Sequence, residues 1–495
     1  MSLVVVANRE PLRREGDGWV PAVGGLATAL LPVLERRGGA WVAWGEKDAG
    51  SLPLLHYPPA APRFAVHRLF LPPREVAGSY HGMANRTLWP LAHYLLDRVE
   101  IRRDFLTAYR STNRRFAEAV LSLWDDPHIP VWVQDYHLML VPALLRAARP
   151  QGRIGFFWHI PWPPPEVWQV LPWLEELLAG VLGADLVGLH TAEYVDNFLA
   201  TCRLLPGAVV RGQRVLWQGR AVRVEAHPIG IDTARFRRWA AEPRIRERAA
   251  RLRRAAGGRF VLVGVDRLDY TKGIPERLAA WERLLEQHPQ WRGQATLYQI
   301  AVPSRTRLES YRQLKRRVDE QVGRINGAFM QDGWLPVRYL YRAFPPQELV
   351  AFYLAADVAL VTPLRDGMNL VAQEYAWVTE NGVLVLSNLA GAAAVLPEAL
   401  RVNPYDVDGL AETLHGILAS LAEGRGRRTW EARRAALKER VAALDVHGWA
   451  ARFLASLEQA PAVPAGPPRR SAAAPGAATA APEGPLGGGS PGGSA

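Results

Sequence analysis

The chain has 495 residues, 49% of them apolar, with 60 Lys and Arg against 48 Asp and Glu and a single cysteine, Cys202. That length exceeds one ordinary core and predicts two domains with a ligand-bearing cleft between them. Composition argues against three classes: no window of about eighteen apolar residues for a membrane span, no second cysteine for a disulfide or a thiolate metal site, and no clustering of arginine into a nucleic-acid-binding module.

The opening MSLVVVANRE has no basic n-region and no small-residue cleavage site, so it reads as a first strand of a cytoplasmic protein rather than a signal peptide. Short apolar runs then alternate with amphipathic stretches, the pattern of strand-helix units and parallel sheets. One series runs through LVVVAN (3–8), PVWVQD (130–135), RIGFFWH (153–159) and ADLVGLH (184–190). A second opens at RFVLVGVDR (259–267) and continues through ATLYQIAV, DVALVTP, GVLVLSN and ALRVNP (399–404). The boundary is expected near Ile231, giving an N-terminal domain over 1–230 and a C-terminal domain over 231–458. The stretch HGWAARFLASLEQA reads as a last packed helix that crosses back to the first domain. From Pro461 to Ala495 the composition falls to Ala, Pro, Gly and Ser, which predicts a disordered tail.

Four places carry chemistry. Asn8 and Arg9 end the first strand, and after a polar, hairpin-like insert Gly24 and Gly25 open a helix, where backbone N–H groups can approach an anion. Asp135-Tyr136-His137 and His159-Ile160-Pro161 end two strands and bring ionisable groups to one sheet edge, where open parallel sheets hold their ligands. In VGVDRLDYTKGIPERL, Arg267 and Lys272 flank a strand-to-helix loop suited to a diphosphate. In TPLRDGMNLVAQEYAWV, Asp366, Gly367, Met368 and Asn369 form a second such loop, and Glu374 lies in the helix after it, placed to accept hydrogen bonds from sugar or ribose hydroxyls.

These blocks resemble the trehalose-6-phosphate synthases from residue 1 to about 458. The likeness rests on NR at 8–9, GG at 24–25, LWPLAHY at 88–94, DYHLMLVP at 135–142, GFFWHIPWPPPE at 155–166, RLDYTKGIPERL at 267–278, GRING at 323–327, TPLRDGMNLVAQEY at 362–375 and NPYD at 403–406. The resemblance implies an α/β fold of the GT-B type, two Rossmann-like parallel-sheet domains facing a central cleft. It implies a retaining, metal-independent transfer of glucose, without a cofactor, from a nucleoside-diphosphate-glucose (UDP-glucose by default) to glucose 6-phosphate. Arg267 and Lys272 would hold the donor diphosphate, helped by Gly24, Gly25 and the backbone of Gly367, Met368, Asn369 and Leu370, and Glu374 would hold the ribose. His159 and Asp366 would line the donor sugar and Asp135 would meet the acceptor hydroxyls, which makes Asp135, His159, Arg267, Lys272 and Asp366 the catalytic set. Arg9, Tyr80, Trp89 and Arg305 match the acceptor-binding positions, with Trp41 close by.

The same scaffold with glycerol 3-phosphate or a cyclitol phosphate as acceptor is the rival within the class, and a catalytically silent sugar-phosphate sensor is the rival outside it. The expected partners are these small molecules, with no nucleic acid and no membrane; a homo-oligomer stays open. Three features depart from the family pattern: Gln134 before the DYH, Gln373, and the length and charge of the insert between Arg9 and Gly24.

Overall fold

The computed structural model describes residues 2–15, 18–22, 25–46, 52–257 and 260–460. The expected disordered tail and Gly24 lie outside the described residues. Two sheets dominate. In the first, ten strands lie in the order Val209–Arg211, Arg214–Trp217, Arg220–Ala226, Leu186–Leu189, Ile154–Phe157, Val131–Gln134, Val4–Arg9, Gly39–Trp44, Phe64–Leu69 and Leu54–Tyr57. Its seven inner strands are parallel, and the hairpin strands at one edge and Leu54–Tyr57 at the other pair antiparallel. The second is wholly parallel: Val337–Leu340, Ala295–Val302, Phe260–Arg267, Val358–Val361, Val383–Ser387 and Leu400–Val402.

The central strands read as continuous apolar runs because helices cover both faces. Val131–Gln134, Ile154–Phe157, Leu186–Leu189 and Val358–Val361 are buried at every residue. Polar residues begin where these strands end, and both sheets therefore deliver their chemistry at their carboxyl edges. Between Arg9 and the helix Gly25–Arg37, strands Leu12–Glu15 and Gly18–Pro21 pair as the anticipated hairpin.

The final helix, Val446–Glu458, does cross back. Its Trp449 and Phe453 pack on Trp132 of the first sheet at ring distances of 4.9 and 4.6 Å, and the Trp449 indole donates to the His227 carbonyl at 3.1 Å. A Cβ on Gly188 would stand 2.7 Å from the Phe453 ring, so this close approach requires glycine there. Among the described residues no helix is long and apolar enough to cross a membrane.

Candidate active site

The strand Phe260–Arg267 ends in a tight loop that a buried arginine holds together. Arg277, with no exposed surface, pairs with Asp266 at 2.6 Å and donates to Thr362 Oγ1 at 3.0 Å and Gln299 Oε1 at 3.1 Å. On that base Arg267 projects into the open and Lys272 is held against Asp366, Nζ to Oδ2 2.5 Å. Burial opposes charge on Asp366, but the Lys272 ammonium and the Asn369 amide, 3.0 Å away, outweigh it and keep the carboxyl below its ordinary range.

Residues 365–369 reach across to the first sheet. Tyr194 donates to the Asp366 carbonyl at 3.0 Å, and the Arg365 guanidinium lies 3.7 Å from the Tyr94 ring centre. A Cβ on Gly367 would sit 2.2 Å from the His159 carbonyl, so only glycine lets the loop pass. Met368 is buried, and Asn369 caps the helix Leu370–Val378, its side chain accepting from the Ala372 amide at 3.3 Å. One turn into that helix Glu374 accepts from the Tyr353 hydroxyl at 2.8 Å, and burial pushes its carboxyl up to about 7 despite that bond.

Opposite this loop stand the two strand ends of the first sheet. Asp135 Oδ1 accepts from the His159 amide at 3.1 Å, and burial raises the Asp135 carboxyl to about 7. The His159 ring donates from Nε2 to Gln134 Oε1 at 2.8 Å; burial and the neighbouring His190 keep it neutral, well below the ordinary imidazole range. Among the described residues, four of the five non-glycine residues with positive φ, Tyr94 (63°), Asp135 (72°), Arg305 (46°) and Asn369 (87°), belong to this cleft, where the surrounding contacts hold the strain.

The third group lies between the sheets. Trp89 carries the Arg305 guanidinium 4.1 Å and the Arg267 guanidinium 5.2 Å from its ring centre. Beneath it Asp269, with no exposed surface, accepts from Arg305 Nη1 at 2.8 Å, the Tyr311 hydroxyl at 2.9 Å, and both the amide and hydroxyl of Thr271 at 3.1 Å. Burial alone would raise the Asp269 carboxyl; Arg305, Arg267 and Lys272 together drive it far below the usual range. Arg9 lies 4.5 Å from the Trp44 ring and 4.7 Å from the Tyr80 ring. Partial burial of Tyr80 would raise its hydroxyl, yet Arg9 and Arg305 pull it below the ordinary value.

Trp41 does not join them and is corrected here. Positions 41 and 44 fall on opposite faces of one strand, so Trp41 turns into the core at 1% exposure while Trp44 turns toward Arg9 and Tyr80. The Trp41 indole instead donates to the Arg9 carbonyl at 3.1 Å, from behind the strand. Sequence reasoning missed Trp44 and also Asp269 and Tyr311. Strand alternation in GAWVAW could have identified Trp44 and the RLDYTKG block offered Asp269, but Tyr311 stands in the helix Glu309–Phe329 with no local signal.

Gly25, at the start of its helix, is described only by its backbone. The predicted cations Arg267, Lys272 and Arg305 converge with the predicted carboxylates Asp135 and Asp366 at facing sheet edges, with Asp269 anchoring Arg305 from behind. Such an arrangement binds anionic groups and sugar hydroxyls together. Among the described residues no group of three or more His, Cys, Asp or Glu could hold a metal ion.

Known proteins resemble this chain over most of its length. The trehalose-6-phosphate synthase of Mycobacterium bovis is 44% identical over 476 residues, covering 92% of this chain and 94% of its own. The bifunctional trehalose-6-phosphate synthase/phosphatase of Thermoproteus tenax is 42% identical over 480 residues, and the chain spans 63% of its length. A structure from E. coli bound with UDP-2-fluoro glucose superposes with a TM-score of 0.84 at 35% identity, over 92% of this chain and 99% of that one. The UDP-forming alpha,alpha-trehalose-phosphate synthase of Burkholderia xenovorans in complex with glucose-6-phosphate gives 0.84 at 33%, over 92% and 100%. The fold is accordingly GT-B, two Rossmann-like units facing a cleft. The profile of glycosyltransferase family 20 matches residues 1–459, nearly all of the described chain, and the protein belongs to that family.

Proposed function

We propose that this chain is a retaining glucosyltransferase that carries glucose from a nucleoside-diphosphate-glucose, UDP-glucose by default, to glucose 6-phosphate, releasing trehalose 6-phosphate and the nucleoside diphosphate. One observation carries the reading: Arg267, near the Lys272–Asp366 pair, and Arg305, which with Arg9 acts on the Tyr80 hydroxyl, lie over the same Trp89 ring at 5.2 and 4.1 Å. A diphosphate held by the first group and a phosphorylated sugar held by the second would meet at that ring. The relatives crystallised with UDP-2-fluoro glucose and with glucose-6-phosphate support the two substrate classes.

In this reading Arg267 and Lys272, with the amides at the start of the helix Leu370–Val378, take up the charge that grows on the leaving diphosphate. Glu374 accepts from the ribose hydroxyls, His159 and Asp366 line the donor sugar, and Asp135 orients the attacking hydroxyl. A retaining glycosidase needs two carboxylates about 5 Å apart, one of them a nucleophile; here Asp366 is committed to Lys272 and Asp135 to the His159 amide. The likeness to the family favours a front-face transfer, in which the acceptor proton passes to the leaving phosphate oxygen on the same face of the sugar. Residues 1–230 form the acceptor-binding domain and 231–458 the donor-binding domain, a division supported by the sheets, the first ending at Ala226 and the second beginning at Phe260. We place the enzyme in the cytoplasm.

The test is nucleoside-diphosphate release with UDP-, ADP- or GDP-glucose in turn, with and without glucose 6-phosphate, and mass analysis of the product. Acceptor-dependent release with a non-reducing phosphorylated disaccharide supports the reading and names the donor. Release only with glycerol 3-phosphate or a cyclitol phosphate removes the acceptor assignment, and binding of both ligands without turnover makes the chain a sensor.

A further inference from the structure

Arg305 is the most constrained cation in the cleft. Its side chain is 5% exposed, and Nη1 is occupied twice, by Asp269 Oδ2 at 2.8 Å and by the Tyr311 hydroxyl. Nη2 donates to the Tyr136 hydroxyl at 3.2 Å, which leaves it one further hydrogen. The Nε–H is buried and has no partner. An unpaired buried donor is costly unless something fills it, and Nε with the remaining hydrogen of Nη2 forms the edge that grips an oxyanion in two parallel bonds.

Both oxygens of Asp269 are used. Oδ2 takes Arg305 and Tyr311, while Oδ1 takes the Thr271 amide and hydroxyl and faces the Trp89 indole at 3.4 Å. The carboxylate is thus fixed to the Arg267–Lys272 loop by one oxygen and fixes Arg305 by the other. Removing its charge would free Nη1 and let the guanidinium turn over the Trp89 face.

We propose that Asp269, with Tyr311, is the positioning residue that sets which edge of Arg305 meets the acceptor's phosphate, so that preference for a phosphorylated sugar depends on a carboxylate that never touches it. This rests on the acceptor reading given above. Tyr311→Phe keeps the ring and removes the hydroxyl that holds Nη1. Asp269→Asn keeps the shape and removes the charge.

The experiment compares kcat and KM for glucose 6-phosphate and for glucose in the full-length protein and both variants, with calorimetric affinity for whichever nucleoside diphosphate the donor assay selects. Tyr311→Phe is expected to raise the KM for glucose 6-phosphate about tenfold and Asp269→Asn about a hundredfold. The preference for glucose 6-phosphate over glucose falls by the same factors, kcat at saturation stays within about threefold, and nucleotide affinity within about twofold. A variant that folds and keeps the wild-type preference overturns the proposal, and so does a parallel loss of nucleotide binding, which would mark a merely structural role. Should Asp269→Asn fail to fold, Tyr311→Phe decides alone. Arg305→Met separates the two layers: a collapsed preference there with an intact one in Tyr311→Phe and Asp269→Asn sinks only the positioning role, whereas an intact preference in Arg305→Met removes Arg305 from the acceptor's phosphate and the proposal with it; only a wild-type protein that does not turn over glucose 6-phosphate removes the acceptor reading itself.

Discussion

The two walls of the cleft are built by different physics. On the second sheet three cations are held by carboxylates out of water, Arg277 on Asp266, Lys272 on Asp366 and Arg305 on Asp269, and Arg267 alone of the site cations there is exposed. On the first sheet Arg9 is half exposed and lies against Trp44 and Tyr80, with Glu46 only 3.6 Å away at the rim. A wall of buried pairs is rigid before any ligand arrives and costs much to break; a wall of aromatic rings and one open cation is adaptable and costs little.

That contrast can be broken in order of effect. Arg277→Leu leaves Asp266 buried without its counter-ion and is expected to cost about 3–5 kcal/mol of stability, read by denaturant unfolding; a loss under about 1 kcal/mol would deny the second wall its rigidity. Arg267→Ala, on an exposed side chain, is expected to keep its fold and lose roughly ten- to a hundredfold in turnover, measured as nucleoside-diphosphate release. Near-normal turnover would remove Arg267 from the leaving group. Arg9→Ala is expected to raise the KM for glucose 6-phosphate only about fivefold, with unchanged unfolding, and a loss as deep as that of Arg267→Ala would erase the distinction between the walls.

The smallest effect is a pH limb. The folded Glu374 carboxyl is raised from 4.5 to about 7, so its charge is lost as pH falls through about 7, and donor KM is expected to climb there. Because the folded state binds the extra proton, this residue's linkage makes stability fall as pH rises through the window from 4.5 to about 7. Glu374→Gln should flatten both slopes; donor KM profiles and thermal unfolding between pH 5 and 8 check this.

The sequence showed the walls unevenly. Buried parallel strands such as Ile154–Phe157 and Phe260–Arg267 were legible as apolar runs ending in charge. The edge strands of the first sheet, Val209–Arg211 and Leu54–Tyr57, were not, because their mixed surfaces carry no continuous apolar signal. Loop residues proposed to meet the ligands stood out as motifs, Arg267, Lys272 and Asp366 above all. Trp41, expected near the acceptor positions, lies on the core face because the alternation of GAWVAW turns Trp44 instead toward Arg9. Tyr311 reaches Asp269 across 42 residues, a contact made by tertiary packing alone.

The crossing helix carries a cost in time. Trp132 and Phe157 of the first sheet are covered by Trp449 and Phe453, and Arg153 holds the Leu457 carbonyl 304 residues later in the chain. At about 5–20 residues per second, a ribosome takes roughly 15–60 s to supply that cover, during which a nascent aromatic face stands open beside the exit tunnel. Synthesis of this protein therefore depends on whatever shields that face meanwhile, and a chain stopped before Val446 is expected to leave it open for good and to aggregate.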